Sequence, residues 1–121
     1  MVFLDIKKKK WVIKDLEIPV IENVPMKDML WFKDKVKWAA EKEEKNDITQ
    51  TEALKLDEEW WENTCKIGLG KSMEEILDSG ISEPEFRELM AEVYTFLATC
   101  GTIEKAKQFA LYEVETLKKE K

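Results

Sequence analysis

Two serines punctuate the second half of the chain and restrict what it can fold into more than any other feature. Ser72 stands three residues before Glu75, and Ser82 stands three before Glu85. In each pair the serine hydroxyl can accept from the third helical N–H while the glutamate reaches back to the serine's own N–H, so each pair starts a helix. Gly80 stops the first, Met73–Ser79, after about two turns. Gly101 stops the second, which runs from Glu83 to Thr99. Within it Phe86, Leu89, Met90, Val93, Leu97 and Cys100 recur at the spacing of one helix face. Two such boundaries so close together commit this half of the chain to a helical body.

The rest reads outward from there. Pro25 suits the first position of a helix, because its fixed φ is already helical. The helix Met26–Lys45 follows, with Met29, Phe32, Val36, Ala39 and Ala40 as its core stripe. The charged stretch Glu41–Asp47 ends it. Asp47 or Thr51 can cap the next helix, which runs from Ile48 or Thr51 to Ile67. Leu54, Trp61 and Cys65 form its stripe, with Leu56 and Trp60 beside it, and Gly68 and Gly70 end it. A last helix, Thr102–Leu117, carries Ile103, Ala106, Ala110, Val114 and Leu117, and Lys118–Lys121 reads as a frayed tail. Ahead of Pro25 the chain reads as extended. Val2, Leu4 and Ile6 alternate with Phe3 and Asp5, and the runs Trp11–Ile13 and Ile18–Ile21 are β-branched or aromatic. Lys14–Glu17 is the loop of a hairpin, and Pro19 belongs on an edge strand. The expected fold is mainly α, with four to five helices and a small N-terminal β-hairpin in one compact domain. The hairpin takes residues 1–24, the helices 25–117, and the tail 118–121.

Composition then narrows function. The 121 residues include no histidine. That excludes a Ser-His-Asp triad, a Cys-His pair and any histidine-ligated zinc or haem site. Cys65 and Cys100 are too few for a zinc site and read as two buried free thiols in a reducing cytosol. The string Gly68-Leu69-Gly70-Lys71-Ser72 echoes the end of a phosphate-binding loop. However, Cys65 stands where that motif needs its first glycine, and the string follows a helix instead of a strand. Close carboxylate pairs such as Glu58 and Glu59 are expected from 26 acids and read as solvated helix faces. The reading is a chain that is not an enzyme and has no catalytic residue, metal or cofactor.

Charge is unevenly placed. Residues 1–40 hold nine lysines and six acids, residues 41–100 six bases and sixteen acids, and residues 101–121 five bases and four acids. The acidic middle repels nucleic-acid phosphates. The lysines at Lys7–Lys10 suit a solvated strand edge. No apolar run is long enough to span a bilayer. The apolar start followed by lysines reverses the order of a signal peptide. The expectation is a cytoplasmic protein with no nucleic-acid or membrane partner. Four tryptophans stand out among the charges. Trp31 and Trp38 share one side of the first long helix, and Trp60 and Trp61 are adjacent in the second. They read either as core residues wrapped around the sheet or as an aromatic patch for a protein partner.

A further reading comes from element order. The extended segment Trp11–Ile21 precedes a Pro-headed helix and a charged break. A helix with Glu59-Trp60-Trp61-Glu62 follows, and then Met73–Leu89 with its short helix, Gly80 stop and Ser82-Glu83-Pro84-Glu85 restart. In this order and in its acidity, the chain resembles the tail assembly chaperones of long-tailed phages and prophages over residues 10–100. The resemblance implies a protein that binds the hydrophobic, helix-rich tape-measure protein before tube subunits polymerise. It also implies homo-oligomers and a place in the host cytoplasm. Trp31, Trp38, Trp60 and Trp61 would be the contact residues. The helix Thr102–Leu117 has no counterpart in the family pattern. Two other readings stay open: a small acidic regulator that mimics DNA or binds a host protein, and a structural virion protein.

Overall fold

The computed structural model describes residues 2–108. The fold is mainly α with a small antiparallel sheet at the N-terminal side. The sheet has three strands where a two-stranded hairpin was expected: β1 (Val2–Asp5), β2 (Lys10–Ile13) and β3 (Leu16–Pro19), in the order β1-β2-β3. Ile13 pairs with Leu16, so the turn is only Lys14 and Asp15. Lys14 takes φ 51° there, and a two-residue hairpin loop calls for positive φ. The register sets Val2 opposite Ile13, Leu4 opposite Trp11, and Trp11 opposite Ile18. This puts alternate residues of all three strands on one face, and Val2, Trp11, Ile13 and Ile18 are buried there. Pro19 ends the edge strand β3, where its missing N–H leaves the ladder intact. Phe3 points away from the core and is half exposed.

The helices are α1 (Met26–Glu44), α2 (Gln50–Thr64), α3 (Met73–Leu77) and α4 (Glu83–Thr99), with a further helical run over 103–108. The remainder of the expected last helix and the tail 118–121 lie outside the described residues. Both capping boxes are present as expected. The Ser72 and Ser82 hydroxyls accept from the N–H groups of Glu75 and Glu85, and both glutamates reach back. Pro25 is the cap of α1, one position before its first turn. The start of α2 corrects the expectation, because neither Asp47 nor Thr51 caps it. Asp47 still belongs to the end of α1, donating its N–H to the Lys42 carbonyl at 2.9 Å. Thr49 takes the cap instead, accepting from the Glu52 N–H at 3.1 Å.

The second helix does not run on as an α-helix to Ile67. It widens into one π-helical turn, Cys65–Leu69, closed by Gly70 in the left-handed region at φ 66°. Gly68 in that turn is buried against α4. A methyl group there would press on Val93 and lie 3.1 Å from Leu97 Cδ1. The missing Cβ is therefore what lets the turn and α4 approach so closely.

α4 is the spine of the core. Phe86, Leu89, Met90, Val93, Phe96 and Leu97 are buried along it. They meet the inner face of the sheet, Cys65 and Leu69 of the π turn, Ile76 of α3, and Ile103. Trp11 meets Phe96 edge-on with ring centres 5.7 Å apart. Cys65 is buried but Cys100 is only half-buried, so one of the two thiols expected in the core is partly outside it. α1 sits apart from this core. Of its nineteen residues only Phe32 is fully buried. Met29 is half-buried, whereas Val36 and Ala40 of the expected stripe are exposed. The stripe is cut short because α1 touches the body chiefly through aromatic rings near its middle.

Candidate functional site

The four tryptophans singled out in the sequence are all half-buried, and they divide between two places. Trp31 and Trp60 belong to an aromatic box with Phe32 and Tyr94. Phe32 has the Trp60 ring centre at 4.9 Å and that of Tyr94 at 5.4 Å. Trp60 lies 4.8 Å from Tyr94 and 6.0 Å from Trp31. The box joins α1, α2 and α4 through ring packing. Trp38 is attached to it through lysines. Lys35 Nζ lies 5.9 Å from the Trp31 ring centre and 5.8 Å from that of Trp38, while pairing with Glu59 at 3.6 Å. Lys42 covers the Trp38 ring at 5.7 Å and pairs with Asp47 and Glu52. These contacts account for Trp31, Trp38 and Trp60 as the fastening of α1 to α2.

Trp61 faces a different way. Its ring meets Phe86 edge-on at 5.6 Å, and the Arg87 guanidinium lies 5.4 Å from its centre. It forms part of a groove of about 710 Å³ between α2, α3 and the start of α4. Leu54 and Trp61 of α2, Met73 and Leu77 of α3, and Phe86 of α4 supply its apolar lining. Leu54 is 61% exposed and Leu77 43% exposed. Apolar side chains left this open and next to one another form a surface that covering would stabilise. Asp57, Glu58, Lys55, Glu83 and Arg87 stand at its margin. Arg87 and Glu83 satisfy each other at 3.0 Å.

The groove is built by local signals. The Ser72 box aims α3 so that Met73 and Leu77, four residues apart, share its open side while Ile76 enters the core. The Ser82 box starts α4 with Phe86 at the groove's inner end. The Glu85 carboxyl that completes this box is held down at about 2, by the Ser82 N–H first and then by the Ser82 hydroxyl and Lys14. Lys14 Nζ lies 3.1 Å from it, so the same carboxylate ties the β2–β3 turn to the start of α4. Of the groove residues, only Trp61 is among the contact residues expected from the sequence. The sequence pattern places Leu54 and Phe86 on core stripes and gives Leu77 no role. The available signal was the seven-residue spacing of Leu54 and Trp61, opposite a very short helix that cannot cover both.

Other features fall into structural roles. Gly70 is the left-handed stop of the π turn, and Ser72 is committed to its cap, so the Gly-Lys-Ser string is a helix junction. Burial pushes the Cys65 thiol up to about 12, with Glu62 adding to the rise, and its sulfur lies 3.6 Å from that of Met90. It is held as a packed thiol. No helix among the described residues is long and apolar enough to cross a membrane. In comparisons with known proteins, the chain matches no family model, no curated protein and no solved structure.

Proposed function

We propose that the chain is a protein-binding assembly chaperone, of the kind the tail assembly chaperones represent, and that it holds a helical client in the groove between α2, α3 and α4. The observation that carries this reading is the open apolar lining of that groove, where the exposed Leu54 and Leu77 stand together beside Trp61, Met73 and Phe86. Full burial of a leucine contributes about 1.5–3 kcal/mol. Leu54 and Leu77 together offer about one leucine's worth of open surface, so a client that covers both gains about that amount. This suits a partner that is held and then released better than a permanent subunit contact. Of the four tryptophans, Trp61 would touch the client, and Trp31, Trp38 and Trp60 would hold the frame. The net charge of −6 keeps the unladen chain dispersed.

The test is co-expression. The gene is expected beside one for a long, helix-rich tape-measure protein, and the chain should raise the soluble yield of that protein. Leu54→Asp should abolish the rise while leaving the chain folded, because Leu54 is already exposed. A neighbourhood without such a gene, or a client kept equally soluble by the Leu54→Asp chain, would overturn the reading.

A further inference from the structure

We infer that the groove selects its occupant by charge as well as by apolar fit: its partner is an amphipathic helix of another protein whose apolar stripe is flanked by lysine or arginine. This rests on the groove being the binding site, as proposed above.

The form of the partner follows from the walls. Thr51, Leu54, Glu58 and Trp61 face the groove from α2 at intervals of three and four residues, and Met73 and Leu77 face it from α3 four apart. These are helix ridges, and another helix packs into the channel between such ridges. The backbone groups of the walls are committed within their own helices, so an extended segment finds no strand edge to lengthen.

The charge follows from the margin. Glu83 is neutralised by Arg87, which is itself laid on Trp61. Asp57 and Glu58 have no ion-pair partner among the described residues, and Lys55 can offset only one of them. A helix with cations beside its apolar stripe is drawn to the carboxylate left uncompensated at this margin and placed in register by it, while an acidic one is repelled.

The experiment uses the full chain and two fluorescein-labelled helical peptides of about 18 residues, long enough to span α2. They share one apolar stripe, which is flanked by lysine in the first and by glutamate in the second. Binding is read by anisotropy. The lysine peptide should bind at least about fivefold more tightly at low salt, and this preference should fade as salt screens the exposed carboxylates. The double variant D57K/E58K should reverse the preference. Leu54→Asp should weaken both peptides, with circular dichroism showing that each variant stays folded. If both peptides bind equally and Leu54→Asp weakens both, the groove reading stands and the charge inference is overturned. If neither peptide binds, or Leu54→Asp changes nothing, both are overturned. If the chain alone forms an oligomer that Leu54→Asp dissolves, the occupant is a second copy and the inference fails.

Discussion

Replacing Gly68 with alanine sets two physical rules against each other. By intrinsic helix preference, a glycine in a helical turn should be improved by alanine by about 1 kcal/mol. The structure predicts the opposite sign. The new methyl would enter the space of Val93, a fully buried residue of α4, and would lie 3.1 Å from Leu97 Cδ1. Val93 is β-branched and fully buried, so its methyl cannot swing aside, and so close an approach puts the overpacking cost in the upper part of its usual range, about 2–3 kcal/mol. The net expectation is a loss of about 1–2 kcal/mol. In a chain of this size that corresponds to a fall of about 4–8 °C in Tm. Thermal unfolding followed by far-UV circular dichroism measures it. A double-mutant cycle with Val93→Ala makes the test specific, because shortening Val93 opens the space the methyl needs. The two changes together should cost less than their sum by about 1 kcal/mol. Gly80→Ala is the contrasting control. It has open space around it but φ 87°, so its cost lies in the backbone and Val93→Ala should not relieve it. A Gly68→Ala chain as stable as the parent, or a cycle without coupling, would refute the close approach between the π turn and α4.

Two further outcomes concern titration and thiols. The Glu85 carboxyl falls from its ordinary 4.5 to about 2 in the folded chain, so the stability it lends is present above about pH 4.5 and is lost as pH falls through 2. Urea midpoints measured over that range should drop less steeply for Glu85→Gln than for the parent, and identical slopes would show that the carboxylate is not tied to Ser82 and Lys14. A thiol reagent at mildly alkaline pH should find Cys100 in the folded chain and Cys65 only after denaturation, since burial keeps Cys65 protonated. Equal rates at both sites would contradict its burial.

The parts of this fold that were legible in the sequence are those set by neighbours along the chain. The Ser72 and Ser82 boxes, the stops at Gly70, Gly80 and Gly101 and the buried stripe from Phe86 to Leu97 each depend on contacts within a few residues, and each is found where the pattern puts it, whereas Gly68 lies inside the π turn instead of ending the helix. What could not be read depends on distant partners. The alternation of Val2 and Leu4 was visible, but their pairing with Ile13 and Trp11 across a turn was not. The π turn has the sequence pattern of ordinary helix, because nothing local marks the need of Gly68 to meet Val93. Thr49 does not stand out locally as the cap of α2, because Asp47 and Thr51 are equally good candidates. Only the folding back of Asp47 onto Lys42 excludes the first. The tryptophans were seen as one set, but the direction of each depends on which helix lies across from it. Trp60 found Phe32 and Tyr94, while its neighbour Trp61 found Phe86.

The aromatic box around Phe32 lies outside the buried core cluster and meets α4 through Tyr94, while Met29 of α1 packs against the edge of that core, so α1 need not open together with the rest of the chain. α1 is held by one fully buried ring, by half-buried tryptophans and by ion pairs that salt reaches. Lifting it away therefore takes less free energy than unfolding the whole chain. Amide protons along α1 should exchange through that partial opening, while those of α4 wait for global unfolding. Each such opening bares Trp60 and Tyr94 while the sheet and its core stay closed. The first hydrophobic surface this chain shows to a protease or to another protein would then be the floor beneath α1.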